Sequence, residues 1–503
     1  MFEESLISII IGVAAFVLIL VTTLNFNAAL LSLTLIIAIA IFQNSFSRGW
    51  LFLFALLALI PATKIGNGST SIYEVLLTIL ALVGLVHIVT GNVKMKATKL
   101  YFLFFLLILI GVSISVFGYF FDLSINPEIF IFTALFILVL TTMISFQHFF
   151  QTKKRIERFF VLLVSIGVAH SLFGITSLIL GWQSPTGMGI TAGTFQLFSD
   201  NLIQHQINGF LGNGYLLKVG ENALAPFLLI SIPLNIGLLL SLKKYSKKKA
   251  QELKVPSFQL FDSIHTKQQK KYWISILESS NKTTFFEKTR SFFTPKVFLV
   301  GALTIQIVAL VLTFSYVSLV ILSVGTFVIA VLLREKTLIS ISIVILVSLT
   351  LVVPSFFSSI TAQSEHNISQ WLSDFGQIKS NWFWGNGWRI EKTNTTNSGK
   401  QIYNSFLLIW NTFGMIGLAV LFGILIQYFR QLRSSYLTSD DSNRMWLIVI
   451  IAIFVEFVFL AMTSNSLFFG PAAIVFWLLY AVGFNLQKKT VVFGLTETRL
   501  RFQ

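Results

Sequence analysis

The chain has 503 residues, 55% of them hydrophobic and only 11% charged, which excludes a water-soluble domain and describes a polytopic membrane protein. The formal net charge is +16; in such a chain basic residues mark the cytoplasmic ends of spans, so nucleic acid is not an expected partner. There is no cysteine, which excludes disulfides, thiolate chemistry and cysteine-ligated metal, and the six histidines show neither HExxH nor His-x-His spacing.

The N-terminal stretch MFEESLISIIIGVAAFVLILV starts acidic and lacks a small-residue cleavage site, so it is expected to be a first retained span rather than a signal peptide. Apolar stretches bounded by charge or turn residues fall at 5–23, 28–43, 49–62, 72–90, 99–120, 127–147, 158–181, 222–242, 297–313, 317–333, 337–355, 404–429, 445–463 and 466–484. A helix needs roughly 20 residues to cross the hydrocarbon core, and two of these stretches are short, so about 12 to 14 transmembrane helices are expected. The expected fold is all-α, one integral membrane domain over 1–503, with a long outer-face loop before a late helix.

Basic connections occur at every second turn of the chain: 91–99, 151–158, the insert 243–296, 334–336, 430–444 and the tail from Lys488. The alternation puts both termini in the cytoplasm and the two longest intervening segments, 182–221 and 356–402, on the outer face. The insert 243–296 mixes phenylalanine with cations in FFEKTRSFFTPK. It reads either as an interfacial helix on anionic lipid or as a solvated basic linker.

The large outer loop, 356–402, carries the densest chemistry. Ile368 to Ile378 is expected to form a short amphipathic helix with Ile368, Trp371, Leu372 and Phe375 on one side. NWFWGNGWR follows, where Gly385 and Gly387 permit a tight turn and Trp382, Trp384 and Trp388 offer flat apolar faces beside Arg389. Such rings suit an aromatic belt at a membrane surface, or sugars that stack on them. In the other outer segment, glycines 209, 212, 214 and 220 form loops, Lys218 and Glu221 stand at the entry of the next span, and Asn222 and Pro226 fit an unwound helix start facing an anion. Lys218 and Arg389 together would clamp a diphosphate, if the two segments meet.

The block FWGNGWR followed by YNSFLLIWNTFGMIGLAVLFGILI, 403–426, resembles the signature of the O-antigen ligase and Wzy-type polysaccharide polymerase superfamily, with Asn404, Phe406, Leu407, Gly414 and Gly417 matching. Segments 209–234 and 312–325 are similar to two further family features, so the likeness covers roughly residues 200 to 430. Three positions depart from the pattern: Tyr403 stands where the family has histidine, Gln206 or Lys218 where it has arginine, and Tyr316 where the hairpin between two spans has arginine. The resemblance implies a multispan, metal-independent glycosyltransferase without cofactor, acting on an undecaprenyl-pyrophosphate-linked glycan as donor and acceptor at the outer face of a bacterial cytoplasmic membrane. Membrane lipids, a flippase and a chain-length regulator are the partners it implies.

The expected reaction is polymerisation of oligosaccharide repeat units for capsule or another envelope polysaccharide. Arg389 and Lys218 would hold the leaving pyrophosphate, and Glu221, or else Glu391 or His366, would take the acceptor proton. Tyr403 and Asn404 would orient substrate, and Trp382, Trp384 and Trp388 would contact glycan. The alternatives are a ligase acting on another acceptor and a lipid-linked oligosaccharide flippase. A transporter should pair ionisable residues inside the bundle, whereas these spans are nearly charge-free apart from Glu456.

Overall fold

The computed structural model describes residues 98–120, 127–150, 152–179, 224–252, 295–313, 316–336, 404–464 and 470–486, with isolated residues between 339 and 378 and short pieces at 382–385 and 467–468. The regular elements among them are helices: α1 (Lys99–Phe120), α2 (Pro127–Phe149), α3 (Lys153–Ile179), α4 (Leu224–Glu252), α5 (Pro295–Leu312), α6 (Tyr316–Leu333), α7 (Ser405–Thr438), α8 (Asp441–Thr463) and α9 (Gly470–Asn485). No strand occurs among the described residues. The apolar stretches before residue 98 lie outside them.

These helices are apolar around most of their circumference, the pattern of a segment surrounded by protein on one side and hydrocarbon on the other. Along α1, Phe102, Phe105, Leu109, Val112 and Val116 form an exposed stripe while Leu100, Phe104 and Leu107 are buried. The outer faces of α5 (Val297, Phe298, Val300, Ile307) and α7 (Met415, Phe422, Ile426, Phe429) are exposed and apolar in the same way. Water would not tolerate so much contiguous hydrocarbon, and a bilayer would. The segments Leu224–Leu242, Ser405–Thr438 and Asn443–Thr463 are long and apolar enough to cross a membrane, and five shorter apolar helices accompany them. The described residues form an all-helical, membrane-embedded bundle.

Several helices outrun the apolar stretches that announce them. Helix α7 continues to Thr438 through Arg430 and Arg433, and α4 continues to Glu252, so the first ten residues of the basic insert extend a span. Hydropathy marks the hydrocarbon-covered part of a helix; the backbone ladder goes on into the polar layer.

Among the described residues, aromatic packing and a buried polar knot organise the bundle. Helices α1, α2, α7, α8 and α9 meet around aromatic rings, with Tyr428 at the centre: its hydroxyl donates to the Phe476 carbonyl at 3.0 Å, and its ring packs edge-on against Phe454 and Tyr480, each with centroids 5.0 Å away. Helices α3, α4 and α5 are joined by a buried polar knot. Gln306 Nε2 donates to Ser231 Oγ at 2.6 Å and to the Val164 carbonyl at 3.2 Å, while its Oε1 accepts from Asn235 Nδ2 at 3.2 Å. Such bonds between spans contribute on average about 0.6 kcal/mol each, because the separated helices also find partners.

The knot depends on Gly167, where a Cβ would collide with Ser231 Oγ and stand 2.9 Å from Gln306 Nε2. Gly167→Leu is therefore expected to destabilise the bundle by about 1–3 kcal/mol through overpacking, lowering the thermal unfolding midpoint of the detergent-solubilised protein. Gly301→Leu, at a position with nothing within 4 Å of the added Cβ, is expected to leave it unchanged.

Candidate functional site

Helix α7 begins on a capped residue. Asn404 is extended (φ −91°, ψ 122°), and its Oδ1 accepts from the Phe406 and Leu407 amides at 2.9 and 3.1 Å, two of the donors that a helix start leaves unpaired. Its Nδ2 donates to the Met462 carbonyl at 2.8 Å, and the neighbouring Ser405 Oγ donates to the Ser464 carbonyl at 2.7 Å. The start of α7 is thus sewn to the end of α8. Asn404 is buried with its amide engaged at both ends, so the place the structure gives this residue is that of a helix cap and tether.

Ten residues on, α7 breaks. Gly414 has φ 69° and ψ −169°, a conformation foreign to a helix and strained for any residue with a Cβ. A break inside an apolar span frees backbone donors that neither lipid nor apolar side chains can satisfy. Here the Met415 amide donates to the Trp382 and Phe383 carbonyls, at 3.1 and 3.0 Å. The indole Nε1 of Trp410, one turn earlier, also donates to the Trp382 carbonyl, at 2.8 Å.

The turn Trp382–Gly385 is therefore docked, main chain to main chain, on the broken helix. Gly385 has φ 81°, and a Cβ there would stand 2.5 Å from the Gly414 nitrogen and 2.8 Å from the Thr412 carbonyl oxygen. A Cβ on Gly414 would in turn overlap the Phe383 carbonyl. Each glycine makes room for the other's backbone.

The docked turn holds its rings outward. Trp382, Phe383 and Trp384 are 52%, 40% and 61% exposed, and Phe383 meets both tryptophans edge to face, with centroids 5.6 and 4.8 Å away. Phe375 packs edge-on against Trp410 at 5.3 Å and Ile378 is buried in the main core. Ile368, Trp371 and Leu372, the rest of the expected amphipathic face, lie outside the described residues. The result is an aromatic ledge on α7 at the Gly414 break. Flat rings in such a ledge can stack on sugar faces or sit in a lipid headgroup layer.

No protein-family model matches the chain, nor does any curated protein or solved structure. The functional reading rests on this site and on the resemblance in sequence.

Of the candidate residues, the structure describes Trp382 and Trp384, exposed on the turn docked at the Gly414 break, and Asn404, at the start of α7 ten residues earlier. Arg389, Lys218, Glu221, Tyr403, Trp388, His366 and Glu391 lie outside the described residues, so the two-cation clamp has no geometry here. Among the described residues no group of three or more His, Cys, Asp or Glu comes together. Sequence reasoning missed Trp410, whose spacing from Trp382 carries no local pattern. It recognised Gly385 and Gly414 separately and did not pair them.

Gly414→Ala is expected to release the turn, at a cost of about 1–3 kcal/mol from the strained backbone alone. The measurement is acrylamide quenching of tryptophan fluorescence, which should change in Gly414→Ala. It should be unaltered in Gly423→Ala, whose Cβ would touch only Leu103 methyls, at 3.6 and 3.8 Å. Asn404→Ala, which removes the cap and the tether together, is expected to cost about 1 kcal/mol for the cap, seen as faster amide exchange at Phe406 and Leu407.

Proposed function

We propose that this chain is a polysaccharide polymerase of the bacterial cytoplasmic membrane, with both termini inside, that joins undecaprenyl-pyrophosphate-linked oligosaccharide units on the outer face. The observation that carries the reading is the aromatic turn clamped by backbone to the break at Gly414. An interfacial belt needs only rings; it does not need two glycines in the left-handed region that lock those rings to a span.

In this proposal the acceptor sugar hydroxyl attacks the anomeric carbon of the donor glycan. The bond from that carbon to the pyrophosphate oxygen breaks and the pyrophosphate departs with the electron pair. Arg389, four residues beyond the docked Gly385, and Lys218 neutralise the charge that develops there. Glu221 receives the hydroxyl proton, with Glu391 and His366 as the other residues of the right chemistry. Trp382, Trp384 and Trp388 hold the glycan, Tyr403 orients it, and Asn404 acts by fixing the start of α7. No step needs metal or cofactor. The same apparatus serves a ligase with a different acceptor.

The flippase reading is weaker on one observation. Glu456 is the only Asp, Glu, Lys or Arg among the buried described residues, so those spans lack the paired charges that carry a substrate through a membrane.

The test is glycan length on the lipid carrier, by gel or mass spectrometry, in reconstituted membranes supplied with undecaprenyl-pyrophosphate repeat units. Wild type is expected to give a ladder. Arg389→Ala should lose it, and Trp384→Ala should shorten it by weakening a stacking contact of about 1 kcal/mol, roughly fivefold in occupancy. With folded protein and verified substrate, no ladder from wild type would set the polymerase aside in favour of a ligase acceptor assay.

A further inference from the structure

Glu456 lies in α8 seven residues before Thr463, roughly 10 Å along the axis from that end at 1.5 Å per residue. It is fully buried, and among the described residues neither carboxyl oxygen has a hydrogen-bond partner. The carboxyl fills a notch in the facing helix: a Cβ on Gly325 of α6 would overlap Oε1 and stand 2.6 Å from Cγ. One turn further along the same antiparallel contact, Ile329, Ile448 and Ala452 close an apolar seal. The notch has room for this side chain because residue 325 is glycine.

Helix α8 packs against α4, α6, α7 and α9, and its Trp446 ring meets Phe160 of α3; the titratable groups of α3 are Lys153, Lys154, Arg155, Glu157, Arg158 and His170. Between Leu224 and Leu242, α4 carries no titratable residue, and between Val317 and Leu333 neither does α6. The titratable groups of α7 are Tyr428, Arg430, Arg433 and Tyr436, that of α9 is Tyr480, and α8 adds Asp441 and Arg444 near its opposite end. None of them is bonded to Glu456: the Tyr428 hydroxyl is given to Phe476, and Arg444 pairs with Asp441. A carboxylate in the notch would have neither counter-charge nor donor among the described residues, a cost that the neutral acid avoids.

We propose that Glu456 in the Gly325 notch is an intramembrane proton-binding site whose occupancy is tied to the contact between α6 and α8. The carboxyl holds its proton while seated against Gly325. When the two helices part, water enters, the O–H bond breaks, the proton passes to that water, and the carboxylate left behind is solvated instead of sealed. This site is independent of the glycan chemistry, and its ligand is the proton.

Infrared difference spectra of the full chain in liposomes, recorded across a pH series, test it. Wild type is expected to show the carbonyl stretch of a carboxylic acid without hydrogen-bond partners, its amplitude falling about tenfold for each pH unit beyond the point of release. The band should be absent in a monodisperse Glu456→Gln protein and shifted in frequency in Gly325→Ala, which keeps the carboxyl and crowds its seat. Difference spectra that are identical for wild type and Glu456→Gln at every pH would overturn the proposal.

Discussion

A helix that breaks inside an apolar span must find new partners for the backbone groups it releases, and the placement of the candidate site depends on how this chain meets that demand at Gly414. The Met415 donor is satisfied by carbonyls of a turn that precedes α7 by about twenty residues, and the two glycines let the backbones approach without side chains between them. Because the contact is made by main-chain atoms, it fixes position and direction together. The rings of the turn stay exposed on its outer side.

The rest of the site follows from that anchor and from the tether at Asn404. Break and cap lie ten residues apart on one helix, and between them Trp410 adds a donor to the same turn carbonyl. Below them the α7 interior packs around Tyr428, whose hydroxyl is spent on Phe476, so the bundle under the ledge is aromatic and closed. The proposed site is thus on α7, with Glu456 placed apart from it in α8.

How far this was legible in the sequence differs by residue, for physical reasons. The spans were readable because hydrocarbon imposes a length and a composition; the extension of α7 to Thr438 was not, since a helix leaving the membrane needs no apolar residues. Gly385 could be read as a turn and Gly414 as half of a Gly-x-x-Gly, yet glycine announces only that something comes close. Asn404 before an apolar run is a cap signature in local terms, and the resemblance drew attention instead to substrate. Glu456 was conspicuous as a lone carboxyl in a charge-free span, while its counterpart was a glycine in another helix, a residue with no chemistry to notice.

The claim on which the functional account stands is that the outer segments carrying Lys218 and Arg389 meet beside the anchored turn. The chain has no cysteine, so Lys218→Cys and Arg389→Cys can be introduced as a clean pair and treated with a short thiol cross-linker in membranes. The account predicts an intramolecular link that forms in the double variant, fails in either single one, and is lost when Gly414→Ala frees the turn. A correctly folded double variant that never cross-links would contradict it.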